Sequence, residues 1–191
     1  ALFFRTYEIS VRPLHSDEGV NYYFLQKIKE KGHYSYSHEN YHGPTFFYFT
    51  LLGTQLLGEN DFGMRSSSIF FGMALIGLLA LRRKKGYFAL IAAGLMALSP
   101  SLVFHSRYAI HEMLFTFSTF WLFLHSYLWF SEHKRIDLYG MAVSMAILIG
   151  TKETFVVNLA CLGFAALFFG NLKNQFKDCL LYTSPSPRDL D

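Results

Sequence analysis

The composition of this 191-residue chain excludes an ordinary soluble domain. Hydrophobic residues make up 52% of it and aromatic residues 18%, while only 16% are charged, against about a quarter in a typical soluble domain. The net charge of +3 is unremarkable, and we expect no nucleic-acid partner. The two cysteines, Cys161 and Cys179, have no zinc-ligand spacing and indicate no disulfide framework.

Apolar blocks of about membrane-spanning length follow one another along the chain. Residues 1–9 resemble the end of a first membrane helix that has been cut, and a long loop over residues 10–61 follows. The apolar blocks within and after this loop are residues 44–57, 62–81, 87–104, 113–130, 138–150 and 155–169. The pattern predicts an all-α fold, a polytopic bundle of transmembrane helices whose long first loop is external and contains short interfacial helices.

Basic clusters separate the later blocks and set the predicted topology. They lie at residues 82–85, at residues 133–135, and at Lys173 and Lys177. Because short loops rich in Lys and Arg stay in the cytoplasm, we expect these clusters inside and the long first loop outside. That arrangement requires that residues 44–57 do not cross the membrane. Fourteen helical residues measure roughly 21 Å, short of the ~30 Å hydrocarbon core, so we predict a short helix in the outer interface or re-entering it.

Two further segments leave alternatives open. Residues 19–30 have the pattern of an interfacial amphipathic helix, and a plain loop fits nearly as well. Residues 179–191 contain two Ser-Pro pairs and no apolar period. They resemble a translated adapter sequence, and a native Pro-rich tail is the alternative. We therefore expect one membrane domain over residues 1–178, followed by a non-native tail over residues 179–191.

Three polar clusters share the outer face in this topology, at residues 12–18, 106–112 and 151–154. Ionisable residues at the ends of apolar segments are functional candidates when they face the interior of a bundle. Solvated helix ends are the alternative for any one cluster. Three clusters on one face favour a functional site.

The order of five short motifs resembles the GT-C superfamily of membrane glycosyltransferases. The motifs are RPLHSDEGVNYYF (12–24), YHGPTFFYF (41–49), the helix that carries Arg65, SPSLVFHSRYAIHE (99–112) and TKET (151–154). The chain is similar to the O-mannosyltransferases and aminoarabinose transferases of that superfamily, and most of all to a prokaryotic branch labelled flippase-associated. The resemblance covers residues 2–170 and only the N-terminal part of the GT-C module, so we expect the fragment alone to be inactive.

The resemblance implies which acidic residues are catalytic. The essential acid of the first external loop corresponds to Asp17, and the acid of the second loop to Glu112. Transfer of a glycosyl group from a polyprenyl phosphate needs a carboxylate to take the proton of the acceptor hydroxyl. We predict this role for Asp17, with Glu18 orienting either Asp17 or the acceptor. The alternative is that Asp17 and Glu18 cap a helix over residues 20–28.

Other polar residues are expected to bind the donor. Arg107 and Lys152 suit its phosphate, because fixed cations neutralise the charge that develops on a leaving phosphate. Snorkelling to the membrane interface is the alternative for both. The predicted residues of the substrate cavity are His15, Tyr41, His42, His111 and Glu153.

The resemblance leaves metal dependence open. Some members of the superfamily hold a divalent cation with the first- and second-loop acids, and others work without metal. Asp17, Glu112 and His42, together with His15, could form a mixed nitrogen and oxygen site. A divalent cation is therefore an open alternative, and no other cofactor is expected.

Two functional hypotheses follow. The first is an inverting glycosyltransferase, a multi-pass protein of a prokaryotic cytoplasmic membrane with its active site facing outward. Its partners are the lipid bilayer and a polyprenyl-phosphate-linked sugar. The second is a non-catalytic membrane protein that binds lipid-linked sugar or is associated with a flippase.

Overall fold

The computed structural model describes residues 1–36, 38, 42–81 and 87–169. The residues in these ranges form nine α-helices: α1 Leu2–Thr6, α2 Ser16–Lys31, α3 Thr45–Leu57, α4 Asp61–Ala80, α5 Tyr87–Leu98, α6 Pro100–Ser106, α7 Glu112–Glu132, α8 Arg135–Ile149 and α9 Phe155–Phe169. No β-strand occurs in the same ranges, and the all-α prediction is confirmed. The basic clusters at 82–85 and beyond residue 170, and the predicted tail, lie outside them.

Helices α1–α8 belong to one compact unit, Ala1–Glu153, and α9 to a second unit, Thr154–Asp191. Within the first unit, α4 and α7 are long and apolar enough to cross a membrane, with 20 and 21 residues. Helices α5 and α6 are long and apolar enough to cross a membrane only when they are taken together, and the chain bends by 61° between them. Helix α9 of the second unit is a shorter apolar helix of 15 residues. These are the helices of an integral membrane protein.

The membrane segment predicted over residues 87–104 consists of two helices, because the chain bends before Pro100. Proline has no N–H and cannot continue the helical hydrogen-bond ladder. The buried Arg5 of α1 bridges the two sides of the bend. Its Nη1 donates to the Ala97 carbonyl at 3.2 Å, and its Nε donates to the Ser106 hydroxyl at 3.2 Å. Because an unpaired carbonyl in an apolar layer costs several kcal/mol, Arg5 stabilises the bend.

The short helix predicted over residues 44–57 is confirmed as α3, which has 13 residues. It packs antiparallel to α4, and the hydroxyls of Thr50 and Ser67 share a hydrogen bond of 3.1 Å across the pair. Asn60 begins α4 by accepting a hydrogen bond from the Gly63 N–H at 2.8 Å. The place of α3 at the outer membrane interface stays a prediction.

The alternative between helix and loop for residues 19–30 is decided in favour of a helix, α2. His15 is its N-cap and accepts a hydrogen bond from the Asp17 N–H at 3.3 Å. The Glu18 carboxylate accepts the His15 N–H at 3.0 Å and completes a capping box. Asp17 and Glu18 therefore lie in the first turn of α2, as the capping alternative expected.

A single apolar core joins the helices of the first loop to the membrane helices. Its buried residues come from α2, α3, α4, α7 and the loop before α7: Phe24, Ile28, Phe46, Phe47, Met64, Phe71, Leu75, Ala109, Met113, Leu114 and Phe117. The first loop is thus packed into the bundle. Its polar side chains are held on fixed backbone at one end of α4 and α7.

Candidate active site

The first and third polar loops are joined by backbone hydrogen bonds. The Gly43 N–H donates to the Thr151 carbonyl at 3.1 Å, and the Thr45 N–H donates to the Gly150 carbonyl at 3.0 Å. His42 and Lys152 form an isolated antiparallel bridge beside them. These backbone contacts therefore fix the position of Lys152 relative to the segment before α3.

This junction requires glycine at position 43. A Cβ atom there would lie 2.2 Å from the Gly150 carbonyl oxygen and 2.5 Å from its carbonyl carbon. Both are backbone atoms, which cannot rotate away as the end of a side chain can. Gly43 therefore permits the close approach of the two loops.

A cavity of about 140 Å³ lies between the first and second polar loops. Its described lining is Asp17, Val20, Asn21, His42, Ile110, His111 and Glu112. Four residues that the sequence predicted for the site are therefore brought together, two from the first loop and two from the second. The Asp17 carboxylate is the most accessible acid among them, with 71% of its side chain exposed.

Glu18 points away from solvent and is fully engaged. Its Oε1 accepts hydrogen bonds from Arg65 Nε at 2.8 Å and from the Ala109 N–H at 2.9 Å. Its Oε2 accepts from Arg65 Nη2 at 2.9 Å and from the His15 N–H at 3.0 Å. The side chain is completely buried, so Glu18 links α2, α4 and the second loop beneath the cavity.

The charge on Glu18 is maintained despite burial. Burial by itself raises the pKa of this carboxyl, but hydrogen bonds from Arg65, Ala109 and His15 and the positive charge of Arg65 outweigh it, so its pKa is lowered. A carboxylate that is held ionised by four donors has no free lone pair with which to take a proton. Glu18 is suited to positioning rather than to general-base catalysis.

The helix of Arg65 is one of the sequence motifs, but the sequence predicted no role in the site for Arg65 itself. Besides binding Glu18, its guanidinium donates to the carbonyls of Ile9 and Arg12, which fixes the chain ahead of α2. The available signal was a single arginine inside an otherwise apolar helix of membrane-spanning length. An ionisable residue in such a helix marks a functional or structural polar contact.

His111 is a buried, neutral imidazole at the floor of the cavity. Its ring centroid lies 4.3 Å from that of Phe46 and 4.2 Å from that of His42. Burial, with smaller contributions from His42 and Lys152, lowers the pKa of His111 well below its usual value of 6.5. Its Nε2 is buried and has no hydrogen-bond partner in the described part of the chain. A buried ring nitrogen without a partner in the described chain is a candidate hydrogen-bonding group for a ligand.

Lys152 reaches the second loop through an ion pair. Its Nζ lies 3.0 Å from Glu112 Oε1, with 27% and 41% of the two side chains exposed. The neighbouring Glu153 points elsewhere and accepts a hydrogen bond from the Tyr36 hydroxyl at 3.1 Å. The structure thus brings Lys152 to an acid of the cavity and leaves Glu153 at its periphery.

Two other predicted residues, Arg107 and His15, do not line the cavity in the described structure. Arg107 Nη1 donates to the carbonyls of Phe4 and Tyr7 at 3.0 and 2.7 Å, so it caps the end of α1. His15 caps α2 and packs its ring edge-on against Tyr108, with centroids 5.7 Å apart. Tyr41 lies outside the described residues.

The described residues contain no preformed metal site. Asp17, Glu112 and His42 all line the cavity, but no group of three or more His, Cys, Asp or Glu side chains in the described ranges is arranged to hold a metal ion. The described lining offers the carboxylates of Asp17 and Glu112 and the imidazoles of His42 and His111.

A polar cavity above a buried ion pair, at one end of an apolar helix bundle, is suited to a membrane protein that acts on a polar group at the bilayer surface. Residues 41–184, about three quarters of the chain, match the family described as dolichyl-phosphate-mannose-protein mannosyltransferase, and the chain belongs to that family. It is a membrane glycosyltransferase of the GT-C type, from a family that uses polyprenyl-phosphate-linked sugars as donors. The matched segment begins after Asp17 and Glu18 and includes the first six residues of the predicted tail.

The comparison with curated proteins and the comparison with solved structures gave no match. The predicted superfamily is confirmed by the family. The flippase-associated branch, and the prokaryotic source that it implies, stay predictions.

Proposed function

We propose that this protein transfers a sugar, with inversion, from a polyprenyl-phosphate donor to an acceptor hydroxyl at the outer face of the membrane, and that Asp17 is the general base. The observation that carries the proposal is the contrast between two adjacent acids. Asp17 lines the cavity with an exposed carboxylate, whereas both oxygens of Glu18 are occupied. Of these two acids, only Asp17 has lone pairs that an acceptor hydroxyl can reach.

The reaction is a single displacement. The acceptor oxygen bonds to the anomeric carbon of the sugar while Asp17 takes the hydroxyl proton. The bond between the anomeric carbon and the phosphate oxygen breaks, and the polyprenyl phosphate leaves with the electron pair. Attack from the face opposite the leaving group inverts the configuration at the anomeric carbon.

The other residues of the cavity suit binding of the donor. Lys152 supplies a positive charge for the leaving phosphate, and its ion pair with Glu112 holds it at the edge of the cavity. His42 and His111 line the same cavity, and their ring nitrogens suit hydrogen bonding to sugar hydroxyls. Glu18 acts as a positioning residue, because it ties the backbone of His15 and Ala109 to Arg65.

The test is turnover of a polyprenyl-phosphate mannose by the reconstituted protein expressed from its full gene, with Ser- and Thr-containing peptides as acceptors. Asp17→Asn should lower the release of polyprenyl phosphate by about 10²- to 10⁴-fold, the usual range for loss of a general base. Glu30→Gln removes an exposed acid of the same helix and should leave release unchanged. Equal turnover by Asp17→Asn and the wild type would remove the catalytic assignment. Donor binding without any turnover by the wild type would favour a binding protein.

The outward orientation is tested by labelling single cysteines with a membrane-impermeant thiol reagent in intact cells. The background lacks Cys161 and Cys179. We expect Ser35→Cys, in the first loop, to react at once, and Ser131→Cys, at the end of α7, to react only after the cells are opened. The reverse pattern would place the cavity on the cytoplasmic side.

A further inference from the structure

A second cavity, of about 240 Å³, lies at the C-terminal end of α2 and is larger than the one that contains Asp17. Its lining differs in character from that of the first cavity, because it combines basic and aromatic side chains. The lining residues are Phe24, Lys27, Ile28, Lys31, His33, Tyr34, Ser35 and Tyr36. Nothing in the glycosyl transfer proposed above uses them.

The fold of this segment explains the shape of the cavity. Lys27 and Lys31 are four residues apart, so they share one face of α2, and the buried Phe24 and Ile28 form the floor. Gly32 ends the helix with a φ of 76°, a left-handed conformation that glycine adopts without strain. The chain then turns back, and residues 33–36 form the opposite wall.

No acidic side chain in the described part of the chain compensates the positive charge in this cavity, and none belongs to its described lining. Lys27 Nζ lies 4.3 Å from the centroid of the Tyr23 ring, a contact that orients an ammonium group without neutralising it. Lys29 of the same helix is different, because it forms an ion pair with Glu59 at 2.5 Å. Two lysines and one histidine thus face a concave space without a counter-ion from the described chain.

We propose that this cavity binds a phosphate-type oxyanion, with Lys27 and Lys31 as its charged partners and His33 at its rim. Lysine binds phosphate as a point charge with three donors, and two lysines one turn apart can contact the same group. The phosphate belongs either to the headgroup of an anionic lipid or to a soluble ligand. The proposal concerns binding alone and does not depend on the reaction assigned to Asp17.

The site is connected to the loops of the first cavity. The Tyr34 hydroxyl donates to the His42 carbonyl, and the Tyr36 hydroxyl donates to Glu153 at 3.1 Å. His42 and Glu153 belong to the two loops that Gly43 and Gly150 hold together. An occupied oxyanion site would therefore stabilise the wall that these tyrosines tie to the cavity of Asp17.

The experiment measures binding in two arms with the protein in lipid nanodiscs. In the first arm, inorganic phosphate and glycerol phosphate are titrated by calorimetry into nanodiscs of phosphatidylcholine. In the second arm, retention of phosphatidylglycerol from mixed nanodiscs is measured by native mass spectrometry. The variants are Lys27→Gln, Lys31→Gln and the double variant, with Lys29→Gln as the control of equal charge change. Melting temperatures establish that each variant is folded.

Each single variant should weaken binding by about two- to fivefold, as expected for partly exposed charges, and the double variant should lose about tenfold or more. Lys29→Gln should bind as the wild type does. Binding in the first arm identifies a soluble phosphate ligand, and binding only in the second identifies a lipid headgroup. Equal losses for Lys29→Gln and the double variant would show unspecific attraction to a basic helix and overturn the proposal. Absence of binding in both arms would overturn it as well.

Discussion

Replacing Gly43 with alanine tests whether the contact between the first and third loops assembles the site. The added Cβ would lie 2.2 Å from the Gly150 carbonyl oxygen, and real Cβ atoms essentially never approach closer than 3.0 Å. The two segments must therefore separate by about 0.8 Å, the difference between these distances. Because the obstacle is backbone, no change of side-chain rotamer can relieve it.

The expected cost follows from that displacement. The hydrogen bonds from Gly43 and Thr45, now 3.1 and 3.0 Å, would stretch beyond the range of a useful hydrogen bond. Overpacking of this kind costs about 1–3 kcal/mol of stability. The loop that carries Lys152 moves with the junction, and a displacement of about 1 Å at a reacting centre can lower the rate on the order of 100-fold.

The assay compares Gly43→Ala with Gly19→Ala in thermal melting and in release of polyprenyl phosphate. Gly19 lies in α2 beside the cavity, and a Cβ there would meet nothing within 4 Å. Alanine is favoured over glycine inside a helix by about 1 kcal/mol, so this control should be neutral or stabilising. If Gly43→Ala melts and turns over as Gly19→Ala does, the loops do not need the close contact and the reasoning is refuted.

Three further predictions concern the interior of the site. Arg65→Met leaves the Glu18 carboxylate buried without its cation and should cost about 3–5 kcal/mol in unfolding experiments; an unchanged melting temperature would contradict the buried pair. The pKa of His111 is lowered in the folded state. As the pH falls below about 6.5, the unfolded state therefore binds a proton that the folded state does not, and the free energy of unfolding should decrease. His111→Phe should reduce the decrease in the free energy of unfolding between pH 7.5 and 5.5. An equal pH dependence in the variant and the wild type would contradict the lowered pKa of His111. Lys152→Gln should change stability by about 1 kcal/mol or less, because its ion pair with Glu112 is partly exposed, while it raises the KM for the donor; an unaltered KM would remove Lys152 from the phosphate site.

Several features of the site could be predicted from the sequence because they depend on local pattern. Short polar motifs at the ends of apolar blocks located the loops, and alternation of membrane helices placed those loops at the same end of the bundle. Asp17, His42, His111 and Glu112 do line one cavity. Their catalytic and binding roles stay predictions.

Other features could not be predicted, because they depend on contacts between residues far apart in the chain. The residue pattern did not tell the exposed Asp17 from the buried Glu18, which differ only in their direction around α2. Arg107 resembled a phosphate ligand until the end of α1 was found beside it. The bend before Pro100 was visible as a proline, but the arginine that stabilises it comes from α1.

By itself, the sequence determined that the chain is an all-α membrane protein with its polar chemistry at the helix ends. This follows because the length and polarity of a segment decide locally whether it can enter a bilayer. Only the tertiary structure decided which carboxylate is exposed and which is buried and bound to Arg65, and which glycine is needed for the loops to meet. These depend on how α2, α3 and α8 are turned against their neighbours, and packing fixes that orientation through many side chains at once.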